Sequence, residues 1–193
     1  STKELLDALG KAPRDLGAAP NYILRALFTT NDTRYDELWG MGAINAPSAW
    51  DVETGDAGVF VAVLDTGINY THPDLAANIG TDMDGNRGID TVNSDVDPMD
   101  DQGHGTHVSG TIGAVGNNAT GVAGVNWAVS LLGVKVLGAD GSGSGASIIA
   151  GLNYVVNQKS RGLNIRVANM SLGGWMEPID NPDTNPYALA HKA

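Results

Sequence analysis

Gly58-Val59-Phe60-Val61-Ala62-Val63-Leu64, followed at once by Asp65-Thr66-Gly67, is the stretch that decides the fold. The run is short, rich in β-branched residues and apolar without a break. Such a run fits a strand buried on both faces, the signature of a parallel sheet, and Asp-Thr-Gly fits the turn that ends it.

Leu131 to Leu137 predicts another strand of the buried type, and Ile165 to Met170 a further strand. His104 to Ala114 reads as a helix. Ser144 can cap another, in which Ile148, Leu152, Val155 and Val156 recur at helical spacing. Ala46-Pro47-Ser48-Ala49-Trp50 predicts a short helix with proline in its first turn. Strands alternating with helices predict an α/β domain, a doubly wound parallel sheet with helices on both faces. The Gly/Asp/Asn-rich stretch from Asn78 to Gly103 reads as too polar for a core element. Ahead of Trp39 the composition changes. Leu5, Leu6 and Leu9 with Lys3 and Glu4 suggest a short amphipathic helix, and Phe28 to Leu38 has the polar, turn-prone composition of a linker.

The 193 residues suit one domain of ordinary size, and 42% apolar content suffices for a core. Eleven basic against 22 acidic side chains give a net charge of −11, which argues against nucleic acid or anionic membrane as a partner and suits a protein that collects cations. The absence of cysteine excludes a disulfide scaffold, a thiolate nucleophile and a cysteine-ligated zinc site. No apolar run approaches the ~20 residues of a membrane span, and no signal peptide is visible.

In open α/β sheets sites form at the carboxyl ends of strands, where Asp65 is expected. His104 lies between Gly103 and Gly105, so backbone can approach it from both sides, and His107 follows one helical turn later. Two histidines at this spacing can be metal ligands, but the Glu of a His-Glu-x-x-His zinc motif is missing. A general base held by a carboxylate from a strand end is the better reading.

Four segments in order, Val63-Leu64-Asp65-Thr66-Gly67-Ile68, His72-Pro73-Asp74-Leu75, Gly103-His104-Gly105-Thr106-His107-Val108-Ser109-Gly110 and Asn169-Met170-Ser171-Leu172-Gly173, resemble the subtilisin-like serine proteases, and their thermitase-like members in particular. The resemblance runs from about Trp39 to the end. It implies that Asp65 orients the imidazole and that His104 is the general base and then the general acid. It implies that Gly141, Ser142 and Gly143 form an edge segment pairing with an extended peptide or protein substrate. Ser171, Leu172 and Gly173 would form the opposite wall of the cleft.

The resemblance also implies calcium. Val115, Asn118, Thr120 and Val122 match the spacing of a calcium-wrapping loop in the family, Asp74 its carboxylate and Asp32 an N-terminal ligand. Asp90, Asp95 and Asp97, with the carbonyl of Met99, resemble a second calcium site. Asp82-Met83-Asp84-Gly85-Asn86 opens like a calcium loop but lacks the bidentate Glu.

Residues 1–27 resemble the end of an inhibitory pro-segment, with processing expected between about Leu24 and Asn31, and residues 28–193 the N-terminal part of the peptidase domain. A secreted, extracellular enzyme made as a zymogen is implied. The family's Gly-Thr-Ser nucleophile segment does not occur in these residues, nor does its oxyanion Asn. The expectation is therefore a fold incomplete at its C-terminus, inactive alone, needing a C-terminal segment or companion chain that bears the Ser. Pro178 to Pro186 is a natural nick site. The alternative is a non-catalytic calcium- or peptide-binding module that keeps the fold.

Overall fold

A computed structural model describes residues 29–174. The pro-segment reading of residues 1–27 and the nick site at Pro178 to Pro186 lie outside them. The described elements run α1 (Trp39–Ala43), α2 (Ala46–Trp50), β1 (Gly55–Asp65), β2 (Gly88–Asp90), α3 (His104–Gly113), β3 (Ala128–Lys135), α4 (Gly145–Ser160) and β4 (Ile165–Asn169). The strands form one parallel sheet in the order β2-β3-β1-β4.

The unbroken apolar run of β1 is explained by what lies on each side. Ala62 and Leu64 face a cluster completed by Leu132, Val134 and by Leu152 and Val155 of α4. Val61 and Val63 face the opposite way, into Ile68, Leu75, Leu131 and the α3 residues Val108 and Ile112. A strand covered by a helix on each face has no polar side, which is why its sequence does not alternate. The doubly wound α/β reading is borne out. Ser144 caps α4 in a reciprocal pair with Ser147: each side chain accepts the other's backbone N–H.

Two expectations need correction. Asn78 to Gly103 does contribute a strand, the three-residue β2, which pairs with β3 at Gly88–Gly133 and Asp90–Lys135. Its signal is missing because a three-residue edge strand is too short to show a period, and because Gly88 is required on steric grounds: a Cβ there would strike the Gly133 carbonyl. The same stretch supplies buried Asn78, whose amide donates to the carbonyls of Gly113 and Trp127, tying the end of α3 to the start of β3.

Nor is the segment before Trp39 a loose linker over its described part. Thr30 and Asp32 are buried. The Asp32 carboxylate accepts from Asn117 and Asn118 N–H, Asn31 Oδ1 from Ala119 N–H, and Arg34 N–H donates to the Gly121 carbonyl. Polar composition here reflects an arm laid on a loop by hydrogen bonds. A third cluster, Met41, Ala46, Trp50, Ala123 and Trp127, fastens α1 and α2 to the same loop, with the Trp50 and Trp127 rings 4.9 Å apart.

Candidate active site

Asp65 is the last residue of β1, at the carboxyl end of the sheet. His104 opens α3, whose start is pressed onto that strand end. A Cβ on Gly105 would collide with the Gly67 carbonyl and come within 3.1 Å of the Asp65 Cβ, so glycine is what permits the approach. The result is a hydrogen bond of 2.7 Å between His104 Nδ1 and Asp65 Oδ1. The Asp65 side chain is fully buried and that of His104 is 46% exposed. One partner is fixed while the other remains reachable. Asp65 Oδ1 also accepts the Thr66 N–H at 2.7 Å, and Oδ2 is buried without a hydrogen-bond partner among the described residues.

This geometry can do one thing well. The carboxylate fixes the imidazole tautomer with the proton on Nδ1, leaving Nε2 to take a proton from a nucleophile, and it stabilises the imidazolium that results. His107 is exposed and does not join the pair. No three His, Cys, Asp or Glu side chains among the described residues converge as a metal cluster.

The sheet order places both expected substrate segments at the same end. β3 pairs with β1 through Asp65–Lys135 and runs on into Gly141, Ser142 and Gly143. β4 pairs on the other side through Val63–Asn169 and runs on into Ser171, Leu172 and Gly173. Gly138 N–H donates to Ser142 O and Gly141 N–H to Gly138 O, closing the first segment into a tight turn in which Gly141 has φ +77°. Ser142 and Gly143 border an open depression of about 620 Å³, shared with Thr91, Val92 and the first turns of α4. Leu172 packs on the core and Ser171 Oγ accepts from the Asn169 amide.

The residues read as a calcium loop do come together. Asp74, 1% exposed, accepts from the Asn118 amide at 2.9 Å and from Val122 N–H at 2.8 Å. The loop between them turns through left-handed conformations at Asn117, Ala119 and Gly121. Among the described residues no hydrogen bond ends on the carbonyls of Val115, Thr120 or Val122. Two buried carboxylates and three carbonyls unused in hydrogen bonds are gathered here, oxygens of the type a hard divalent cation takes, while the Asn118 amide turns its NH2 to Asp74 and its Oδ1 accepts from Thr120 N–H.

The second set is arranged differently. Asp90 Oδ1 accepts from Val92 and Asn93 N–H, Asp95 Oδ1 from Asp97 N–H, and Asp97 Oδ1 from Met99 N–H and the Tyr70 hydroxyl. Each of these carboxylates closes its own turn. Asp82 and Asp84 are likewise engaged in hydrogen bonds. Asp82 accepts from Asp84 and Asn86 N–H and from the Tyr154 hydroxyl, and Asp84 pairs with both guanidinium nitrogens of Arg161. Burial, followed by the Asp82 bond, raises the Tyr154 pKa.

Sequence reading missed two charged residues behind the pair. Lys135 is 1% exposed, and its Nζ donates to Thr66 O at 2.7 Å, Leu137 O at 2.9 Å and Asp101 Oδ1 at 2.6 Å. A lone cation inside an apolar run was the available signal, since a buried ammonium demands acceptors. Asp100 offered none, lying in an acidic loop where nothing marks one carboxylate over the next.

A buried Asp and an accessible His joined at the carboxyl end of a parallel sheet are the framework of one class of hydrolase. The chain belongs to the subtilase family, peptidase family S8, whose model matches residues 56–191. It is 38% identical over 174 residues to the thermophilic serine proteinase of Bacillus sp. (strain AK1), covering 90% of this chain and 41% of that protein. Thermitase of Thermoactinomyces vulgaris is 38% identical over 148 residues (76% of this chain, 49% of thermitase). Subtilisin Savinase of Lederbergia lenta is 47% identical over 135 residues (70% and 45%). The chain spans less than half the length of each of these relatives.

Proposed function

We propose that these residues are the N-terminal part of a calcium-stabilised, secreted serine endopeptidase, completed by a segment or companion chain that brings the nucleophilic Ser and the oxyanion Asn. The observation that carries this reading is the 2.7 Å bond between His104 and a fully buried Asp65. A binding module has no use for a carboxylate held in that way. The relatives named as serine proteinases support it, and the missing Gly-Thr-Ser segment is why the nucleophile is assigned elsewhere.

The chemistry is acyl transfer. His104 Nε2 takes the Ser proton as the oxygen attacks the scissile carbonyl, and Asp65 stabilises the imidazolium. His104 then gives that proton to the leaving amine as the C–N bond breaks, which leaves an acyl-enzyme. Water enters, loses a proton to Nε2 and attacks the ester. The Ser oxygen leaves with the proton back from His104, and the acid product is released. Calcium has no part in these steps; bound by Asp74, Asn118, the carbonyls of Val115, Thr120 and Val122, and Asp32, it would neutralise buried carboxylates and hold the arm to the loop.

Fluorophosphonate labelling tests the reading. The completed protein is expected to label at one site, and to lose labelling with His104→Ala. The 193-residue chain alone is expected to stay unlabelled. Stoichiometric labelling of the lone chain would place the nucleophile among its own serines, and failure of the completed protein to label would refute the endopeptidase reading.

A further inference from the structure

Thr66, the residue after Asp65, is 1% exposed and has every polar group engaged. Its N–H donates to Asp65 Oδ1 and its carbonyl accepts from Lys135 Nζ. Its hydroxyl accepts the Gly105 N–H at 2.9 Å and donates to Asp100 Oδ1 at 2.9 Å. A hydroxyl has one proton. To receive Gly105 N–H in this geometry it must send that proton to a partner that only accepts, and the Asp100 carboxylate is such a partner.

Asp100 reaches further. Its Oδ1 accepts from Gln102 N–H and Gly103 N–H, and its Oδ2 from the Thr106 N–H and hydroxyl. Gly105 and Thr106 carry two of the unpaired N–H groups that open α3. Thr66 takes one and Asp100 the other, and Asp100 also holds Thr66. The first turn of the helix bearing His104 is thereby locked to the strand end bearing Asp65. Five donors meet the Asp100 carboxylate, the Thr66 and Thr106 hydroxyls and the N–H groups of Gln102, Gly103 and Thr106, and it serves each of them as acceptor.

We infer that Asp100 is a positioning residue for the Asp65–His104 pair and acts through the Thr66 hydroxyl. The inference deepens the endopeptidase reading and rests on it. Without the Asp100 carboxylate the Thr66 hydroxyl is free to turn, Gly105 loses its fixed acceptor and the imidazole shifts against Asp65. None of the Asp100 hydrogen bonds ends on Gly141–Gly143 or Ser171–Gly173, so the loss falls on turnover.

The test uses the completed peptidase with Asp100→Asn, Thr66→Val and the double variant, each checked for folding by circular dichroism. Each single substitution is expected to lower kcat by about tenfold or more, with KM within about twofold. The double variant is expected to be no worse than the weaker single one, because both break one chain. Unchanged kcat, or losses that multiply, would overturn the inference. If Asp100→Asn does not fold, Thr66→Val alone must show the kcat loss, and unchanged kcat there refutes it. A low-field proton resonance from His104 Nδ1 gives a readout without turnover, expected to weaken in either variant; an unaltered resonance counts against positioning. A completed wild-type protein that hydrolyses no peptide, with variants that still weaken the resonance, would refute the endopeptidase reading and leave the positioning role standing.

Discussion

Replacing Lys135 by methionine probes the charge buried behind the Asp65 strand end. The side chains are of similar length, so the change removes the ammonium and little volume. Two carbonyls lose their donor, Thr66 O in a buried place and Leu137 O in a part-buried one. An unsatisfied buried polar group costs about 1–3 kcal/mol. Asp101, 47% exposed, recovers water and adds little. Against this, the variant no longer carries the several kcal/mol needed to strip a lysine of water. Two such groups cost about 2–6 kcal/mol together and the desolvation relief cancels part of that, which leaves a net destabilisation of about 1–3 kcal/mol. Urea unfolding followed by tryptophan fluorescence reads it, since the Trp50–Trp127 contact is lost on unfolding. With a slope of about 1–3 kcal/mol per molar urea, the midpoint should fall by roughly 1 M. A Lys135→Met protein as stable as the wild type, or more so, would refute the reasoning, because the ammonium would then be a burden the fold carries without return.

Gly105→Ala should destabilise and inactivate together: alanine gains about 1 kcal/mol in helix propensity, but its Cβ has to displace the Gly67 carbonyl, and kcat with unfolding midpoint tests this. Asp100 has a depressed pKa, so its stabilisation is complete above its ordinary value near 3.8 and lost as pH falls toward 2. The stability difference between wild type and Asp100→Asn, followed by acid titration, should shrink by roughly 1 kcal/mol over that window, a figure reduced because the group is only partly buried. Calcium at about 100 times its dissociation constant should stabilise the protein by about 3 kcal/mol. Chelation should lower the melting temperature, and Asp74→Ala should abolish the difference between calcium and chelator.

The α/β order was legible because β1 and β3 carry long, mostly apolar runs and α4 an apolar stripe with a serine cap. The Asp65–His104 pair was legible because Asp65 ends an apolar run and glycines on both sides of His104 mark close backbone approach. Asp100, Thr66 and Lys135 were not, because their role depends on which residues the sheet order brings together. Three neighbouring aspartates in one loop look alike until one of them meets Thr66 and the start of α3. The arm at Thr30 to Arg34 was misread for a related reason: hydrogen bonding to a loop far along the chain leaves no apolar trace.

The strand order carries a consequence in time. β1 sits between β3 and β4, and Phe60 meets Ile165 roughly a hundred residues later in the chain. At ribosomal rates of about 5–20 residues per second, its edge toward β4 waits on the order of 5 to 20 s for a partner. A strand apolar on both faces is a sticky surface for that whole interval. High contact order then makes the pairing slow even once the chain is free. The feature that places the Asp65 carboxylate inside the sheet also makes the nascent chain a natural client for whatever shields it while it is being made.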